Sequence, residues 1–181
     1  MRKGLPPVLF FTDPVRTPDP EAIAARLPPG AAIVYRHFGA PDAEARARRL
    51  KAIARARGLR LLIGQDAALA ARIGADGVHL PERLAHRAPG LKRAHPGWLV
   101  TSAAHSVAAA RRSRADAVVL SVVLPSKSVS AGRALGPIRL ALRVCAAGRP
   151  AYALGGISDR TAAHLLPTGV IGLAAVGGLA L

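Results

Sequence analysis

Short apolar runs recur along the chain, each followed by a polar turn and then by an Ala-rich or amphipathic segment. Val8 to Thr12 reads as a first strand, ending in Asp13-Pro14. A short helix over Pro20 to Leu27 follows, capped by Asp19, opened by Pro20 and stopped by Pro28-Pro29-Gly30. Ala31 to Tyr35 is the second strand, with Arg36-His37 at its exit. Asp42 caps a helix to Arg57, in which Ala43, Ala47, Leu50 and Ala54 form one stripe at helical spacing and Gly58 stands in the usual terminating position. Leu59 to Ile63, Gly77 to Leu80 and Trp98 to Thr101 are strands three to five. Helices over Ala67 to Ile73 and Ala88 to His95 lie between them, and one over Val107 to Arg114 follows. Ala117 to Val123 is the sixth strand, Pro137 to Ala147 a helix and Ala151 to Leu154 the seventh strand. A helix capped by Ser158 or Asp159 runs to about Leu166, and Val170 to Ala175 is the eighth strand.

Eight strands alternating with helices imply parallel pairing and right-handed crossovers. The expected fold is therefore α/β, a single closed (β/α)8 TIM barrel. At 181 residues it is short of the roughly 250 that is typical. Almost nothing follows strand eight, so its outer helix is expected to be missing or vestigial, and the apolar end so uncovered offers a homodimer surface. An open doubly wound sheet is the alternative. It would bind ligand at one switch point, whereas polar residues here follow nearly every strand.

Composition narrows the setting. The 51% hydrophobic content belongs to a folded chain, and the length suits one domain over 1–181. No apolar run approaches the roughly 20 residues of a membrane span. The opening MRKGLPPVLFFTDP is broken by prolines and Asp13 and shows no small-residue cleavage site, so no signal peptide is read and a cytoplasmic location is expected. The one cysteine, Cys145, cannot form an internal disulfide and reads as a small core residue. A net charge of +16 points to nucleic acid or to an anionic small molecule. Arg46, Arg48, Arg49, Arg55 and Arg57 fall on a helix surface, and the few aromatics (3%) do not interleave with basic residues, which disfavours nucleic acid.

In a barrel the strand exits share one face, where active sites sit. Those exits carry Asp13, Arg36, His37, Gln65, Asp66, Glu82, His105, the Ser126 to Ser130 loop, Gly155-Gly156 and Gly177-Gly178. Two anion sites are suggested. One is the two glycine pairs, where backbone N–H groups approach phosphate closely. The other is Arg36 with the hydroxyls and Lys127 of the sixth-strand loop. Asp66 is either a magnesium ligand or the cap of the helix from Ala67. His105 is either a proton shuttle or a capping or packed residue. His79, between Val78 and Leu80, reads as structural, and His37, His86, His95 and His164 lack metal-ligand spacing.

These pieces resemble the thiamine-phosphate synthase and thiazole tautomerase family over nearly the whole chain. FFTD, YRHF, LLIGQD and GADGVHLPE carry the resemblance at strands one to four. AAHS, ADAVVLSVVLPSKS, YALGGI and GLAAVGGL carry it at strands five to eight. The resemblance implies one of two activities. A synthase joins a pyrimidine diphosphate to a thiazole phosphate and releases diphosphate with Mg2+. A tautomerase shifts a proton on a thiazole carboxylate phosphate with no metal, through a residue such as His105.

The resemblance also implies site residues. Arg36, Gln65, Ser126, Lys127 and Ser128 fall at the diphosphate and pyrimidine site, and Asp66 at the metal, with Glu82 as a substitute ligand. Gly155, Gly156, Val176 and Gly177 fall at the thiazole-phosphate cradle. There are departures. Phe38 and Val129 stand where the family has lysines, and Pro81-Glu82-Arg83-Leu84 lacks its second magnesium aspartate. The losses all fall on the diphosphate and metal site. They put the tautomerase-like proton shift through His105 first and the synthase second. A non-catalytic phosphate-binding or regulatory barrel comes third and a nucleic-acid binder last.

Overall fold

The structure is a computed structural model that describes residues 4–36, 39–125 and 133–176. Eight parallel strands pair in sequence order and close on themselves: β1 (Val8–Phe11), β2 (Ala32–Tyr35), β3 (Arg60–Gly64), β4 (Gly77–Leu80), β5 (Leu99–Ala104), β6 (Ala117–Ser121), β7 (Ala151–Leu154) and β8 (Gly172–Ala175). The seam pairs Val8 with Leu173 and Phe10 with Ala175. Between the strands lie α1 (Pro20–Ala24), α2 (Ala43–Arg57), α3 (Ala67–Arg72), α4 (Ala88–Ala94), α5 (Val107–Arg112), α6 (Gly136–Ala147) and α7 (Asp159–Ala162). A 3₁₀ turn over Glu82–Arg87 precedes α4, and another over Leu166–Thr168 follows α7. Among the described residues no helix follows β8, and none is long and apolar enough to cross a membrane.

Successive strand residues point to opposite faces, and burial on both faces explains why the strands read as continuous apolar runs. Leu9, Phe11, Ala32, Val34, Leu62, Leu99, Ala117, Val119, Tyr152 and Ala174 fill the barrel interior. Their neighbours pack outward under the helices in two clusters. One spans the first five strands with Leu50, Leu69 and Ala54, and the other spans the later strands with Leu140 and Leu165. At the end opposite the strand exits one device occurs twice. Asp76 accepts the Leu61 N–H at 2.8 Å and pairs with Lys51. Asp116 accepts the Val100 N–H at 2.8 Å and pairs with Lys92. Each carboxylate thus ties the start of the preceding strand to an outer helix.

Several boundaries differ from the pattern's reading. β5 continues to Ala104, because Ala103 and Ala104 pair with Val119 and Leu120. β6 stops at Ser121, β8 starts only at Gly172 and α1 stops at Ala24. α7 is a single turn held by a capping box between Ser158 and Thr161. Cys145 is exposed rather than in the core. It follows Ile138 and Leu142 at helical spacing on an outward stripe of α6, opposite buried Leu140 and Ala147. In this later part of the chain arginines bond to carbonyls: Arg111 Nε donates to Ala146 O at 2.7 Å, Arg143 Nη1 to His105 O at 3.1 Å and Arg149 Nη2 to Ala115 O at 2.6 Å.

The two layers differ in their tolerance of truncation. Leu62 is wholly buried, so Leu62→Ala is expected to cost about 2–5 kcal/mol. Leu142 is 66% exposed, so Leu142→Ala is expected to stay within about 0.5 kcal/mol. Urea unfolding midpoints check this, and equal midpoints for the two variants would contradict the layering.

Candidate functional site

The strand exits surround a cavity of about 290 Å³, near the low end of the roughly 300–1,000 Å³ usual for ligand pockets. It exists because the last inward-facing positions are small. Gly64, Ala103 and Ser121 line its wall, and Phe11, His79 and Leu154 line it from the neighbouring strands. Arg36, Gln65, Pro81 and His105, from the segments just past the strands, complete it.

Arg36 is held firmly at one side. Its backbone N–H donates to Thr12 Oγ1 at 2.9 Å, its Nε to Thr12 O at 2.7 Å and its Nη2 to Asp13 Oδ2 at 3.4 Å. The guanidinium carbon lies 5.6 Å from the centroid of the Phe11 ring, within cation–π range. A Cβ on Gly64 would come within 3.2 Å of the Arg36 side chain and 3.1 Å of the Tyr35 carbonyl, so glycine there makes room for the arginine. Burial lowers the Arg36 pKa and the Asp13 carboxylate partly restores it. The group stays charged at any physiological pH.

Opposite stands a histidine–carboxylate pair. His105, 63% exposed, has Nδ1 2.8 Å from Glu82 Oε2, and the same oxygen accepts the His105 backbone N–H at 2.6 Å. A carboxylate only accepts, so Nδ1 carries the proton. That backbone N–H lowers the Glu82 pKa against the upward push of burial. Glu82 is therefore engaged in orienting His105. Asp66 caps α3, its Oδ1 accepting the Leu69 N–H at 2.8 Å, so the capping alternative is realised. Among the described residues no group of three or more His, Cys, Asp or Glu is arranged to hold a metal.

Gly155 and Gly156 follow β7 with φ of +107° and +67°, a region that favours glycine. A Cβ on Gly156 would stand 2.4 Å from Pro125 O and 2.7 Å from Leu124 O. The glycine pair is thus also demanded by close packing against the β6 exit, a second reason for it beside a phosphate cradle. Val176 packs against the interior cluster. Ser126, Lys127, Ser128, Gly177 and Gly178 lie outside the described residues, as does His37.

The structure therefore brings together Arg36, Gln65 and His105 of the expected residues, with Glu82 behind His105. It adds two that the sequence reading missed. His79 is not merely packed between apolar neighbours. Val78 and Leu80 face the helices, and His79 faces inward, its Nδ1 2.9 Å from Thr101 Oγ1 and its ring edge-on to Phe11 at 4.9 Å. The signal was the two-residue alternation of β4. Burial, aided by the charge of Arg36, lowers its pKa to about 3, so the imidazole is neutral. Arg83 is the other: its Nη2 donates to Gln65 Oε1 at 3.0 Å.

Comparisons with known proteins point to one family. The family model described as thiamine monophosphate synthase matches residues 8–179. A thiamine-phosphate synthase of Chromobacterium violaceum is 31% identical over 163 residues, 86% of this chain and 78% of that protein. A putative thiamine-phosphate synthase of Geobacter sulfurreducens is 32% identical over 126 residues, 67% of this chain and 59% of that one. Among solved structures, a thiamine phosphate pyrophosphorylase of Pyrococcus furiosus superposes with a TM-score of 0.75 at 23% identity, covering 95% of this chain and 85% of that one. FabK of Thermotoga maritima superposes at 0.71 with 17% identity, covering 95% of this chain and 58% of that one. At such identities these two likenesses establish the barrel alone.

The buried neutral His79 carries a pH signature. Below its ordinary pKa of 6.5 the unfolded chain takes up a proton that the folded one refuses down to about 3. Its contribution to stability is complete above pH 6.5 and falls as the pH drops, by about 2 kcal/mol between pH 7 and pH 5. Urea unfolding at the two pH values is expected to show this difference, and His79→Gln to remove it. An unchanged difference in the variant would refute the neutral, buried imidazole.

Proposed function

Because the chain belongs to the thiamine monophosphate synthase family, a family of thiamine-biosynthesis enzymes, we propose that it condenses a pyrimidine diphosphate with a thiazole phosphate. The sequence alone favours a proton shift, but the relatives it matches carry the synthase name. The observation that carries the condensation reading is the match over residues 8–179, which spans the cavity lined by Arg36, Gln65 and His105.

The reaction balances without an external acid or base. The carbon–oxygen bond between the pyrimidine methylene and the diphosphate breaks, and its electron pair leaves with diphosphate. The thiazole nitrogen then supplies the pair that forms the new carbon–nitrogen bond. Two demands follow: stabilise negative charge on the leaving group and tolerate positive charge on the methylene. Arg36, fixed by Thr12 and Asp13, meets the first at the cavity wall. Neutral His79 and the Phe11 ring suit the second, since neither adds positive charge to the cavity. Gly155, Gly156, Val176 and Gly177 remain the proposed thiazole-phosphate cradle, with Ser126, Lys127 and Ser128 proposed at the diphosphate.

Dependence on Mg2+ is general in this family. The donor set here does not fit that ion well: Asp66 caps a helix, Glu82 is engaged with His105, and Leu84 packs against the apolar outer cluster. No step is therefore assigned to a metal. The His105–Glu82 pair favours a second reading, a proton shift on a thiazole carboxylate phosphate, since a histidine oriented by a carboxylate is a competent proton carrier. A homodimer remains a proposal.

Diphosphate release from the pyrimidine diphosphate and thiazole phosphate tests the condensation. Activity is expected in the full chain, and Arg36→Ala is expected to lower kcat/KM about 10- to 100-fold. Absence of release, with a metal-independent isomerisation lost in His105→Ala, would replace this reading with the second. Absence of both, with thiazole phosphate still raising the Tm, would leave a binding protein.

A further inference from the structure

The stretch after β4 does something that the condensation reading does not require. Its carboxylate, Glu82, turns to His105, and the adjacent Arg83 turns to Gln65 on the cavity wall. Gln65 adopts a left-handed backbone with φ of +54°, the one described non-glycine residue with positive φ. Such a conformation is costly and persists where the surroundings enforce it. Here the Gln65 N–H donates to His79 O at 2.8 Å, and its side-chain oxygen receives Arg83. The strained residue thus ties a guanidinium to the lip of the cavity. Arg36 supplies another guanidinium from the wall.

Guanidinium groups and divalent cations serve the same anion by different means. A magnesium ion needs carboxylate oxygens directed at it. The two nearby carboxylates each commit one oxygen to an N–H group, of Leu69 and of His105, and among the described residues no group of three or more His, Cys, Asp or Glu is arranged to hold a metal. A guanidinium offers five N–H donors in a fork that matches phosphate oxygens. Among the described hydrogen bonds, one from Arg83 goes to Gln65. We infer that this site holds the diphosphate by guanidinium charge rather than through a divalent cation, with Arg83, positioned by Gln65, in the place of the metal. The inference rests on the condensation reading for the identity of its anion.

Calorimetric titration of the full chain with inorganic pyrophosphate, in chelator and again in excess magnesium chloride, tests it. Binding is expected in chelator and no tighter in magnesium. Arg83→Ala is expected to weaken it about 10-fold or more, Arg83→Lys to recover part of the loss, and Gln65→Ala to fall between. Arg83 is exposed, so the Tm of its variants is expected to match that of the parent. Binding seen only with magnesium, no binding in either condition, or an Arg83→Ala variant that binds as the parent does would each overturn the inference. Condensation that requires magnesium would remove this inference and leave the synthase reading standing. Pyrophosphate binding in chelator without condensation would do the reverse.

Discussion

Everything at the mouth of this barrel depends on the size of a few inward-facing side chains. Closing eight strands leaves an interior that side chains normally fill in layers. Leu9, Leu62, Leu99, Val119 and Tyr152 do so. One layer nearer the exits the residues shrink to Gly64, Ala103 and Ser121, and the interior opens. The missing Cβ of Gly64 gives Arg36 room to lie across the wall. His79 is both buried and able to face a ligand because the layer above it is sparse. The chemistry is thus set by packing before any polar group is considered.

A second theme is competition for carboxylates. The exits carry Asp13, Asp66 and Glu82, and each already accepts an internal donor: Asp13 from Arg16 and Arg36, Asp66 from Leu69 and Glu82 from His105. Burial pushes the Asp13 carboxyl up, yet the Arg16 and Val15 donors outweigh it and its pKa is lowered. Acidic groups here hold loops and orient side chains, while the Arg36 guanidinium lines the cavity. That division suits a mouth that receives anions.

The sequence was legible wherever burial was two-sided. All eight strands stand out as apolar runs, and the helix cap at Asp19 follows from residue type. Strand ends were less legible, because Ala103 and Ala104 carry little signal of either state and only pairing with β6 decides them. Cys145 was misplaced because α6 is apolar on two sides, and periodicity alone does not say which faces the sheet. His79 was undervalued because the alternation of β4 sets it apart from Val78 and Leu80, while burial on both faces leaves open which set turns inward. Arg83 is silent in sequence, since its contact with Gln65 joins two exit loops. The glycines at 155 and 156 were legible, but their packing against Leu124 and Pro125 was not.

Among the described residues the two parts of the chain hold their arginines in different proportions, carboxylates prevailing in the first beside carbonyl bonds from Arg26, Arg36 and Arg57. Eight of the ten acidic residues precede Arg83. There Arg48 and Arg72 pair with Glu44, and Arg49 with Glu21. Later, where Asp116 and Asp159 are the only acids, Arg111, Arg143 and Arg149 bind main-chain oxygens. Carboxylates take up protons in acid and amide carbonyls do not, over any pH at which proteins are handled. Acidification therefore reaches more of these arginine ties in the first part than in the second, where the Asp116 carboxylate that holds Lys92 and the Val100 N–H is the acid-sensitive exception. Sensitivity to acid is unevenly spread around a ring whose strands look equivalent.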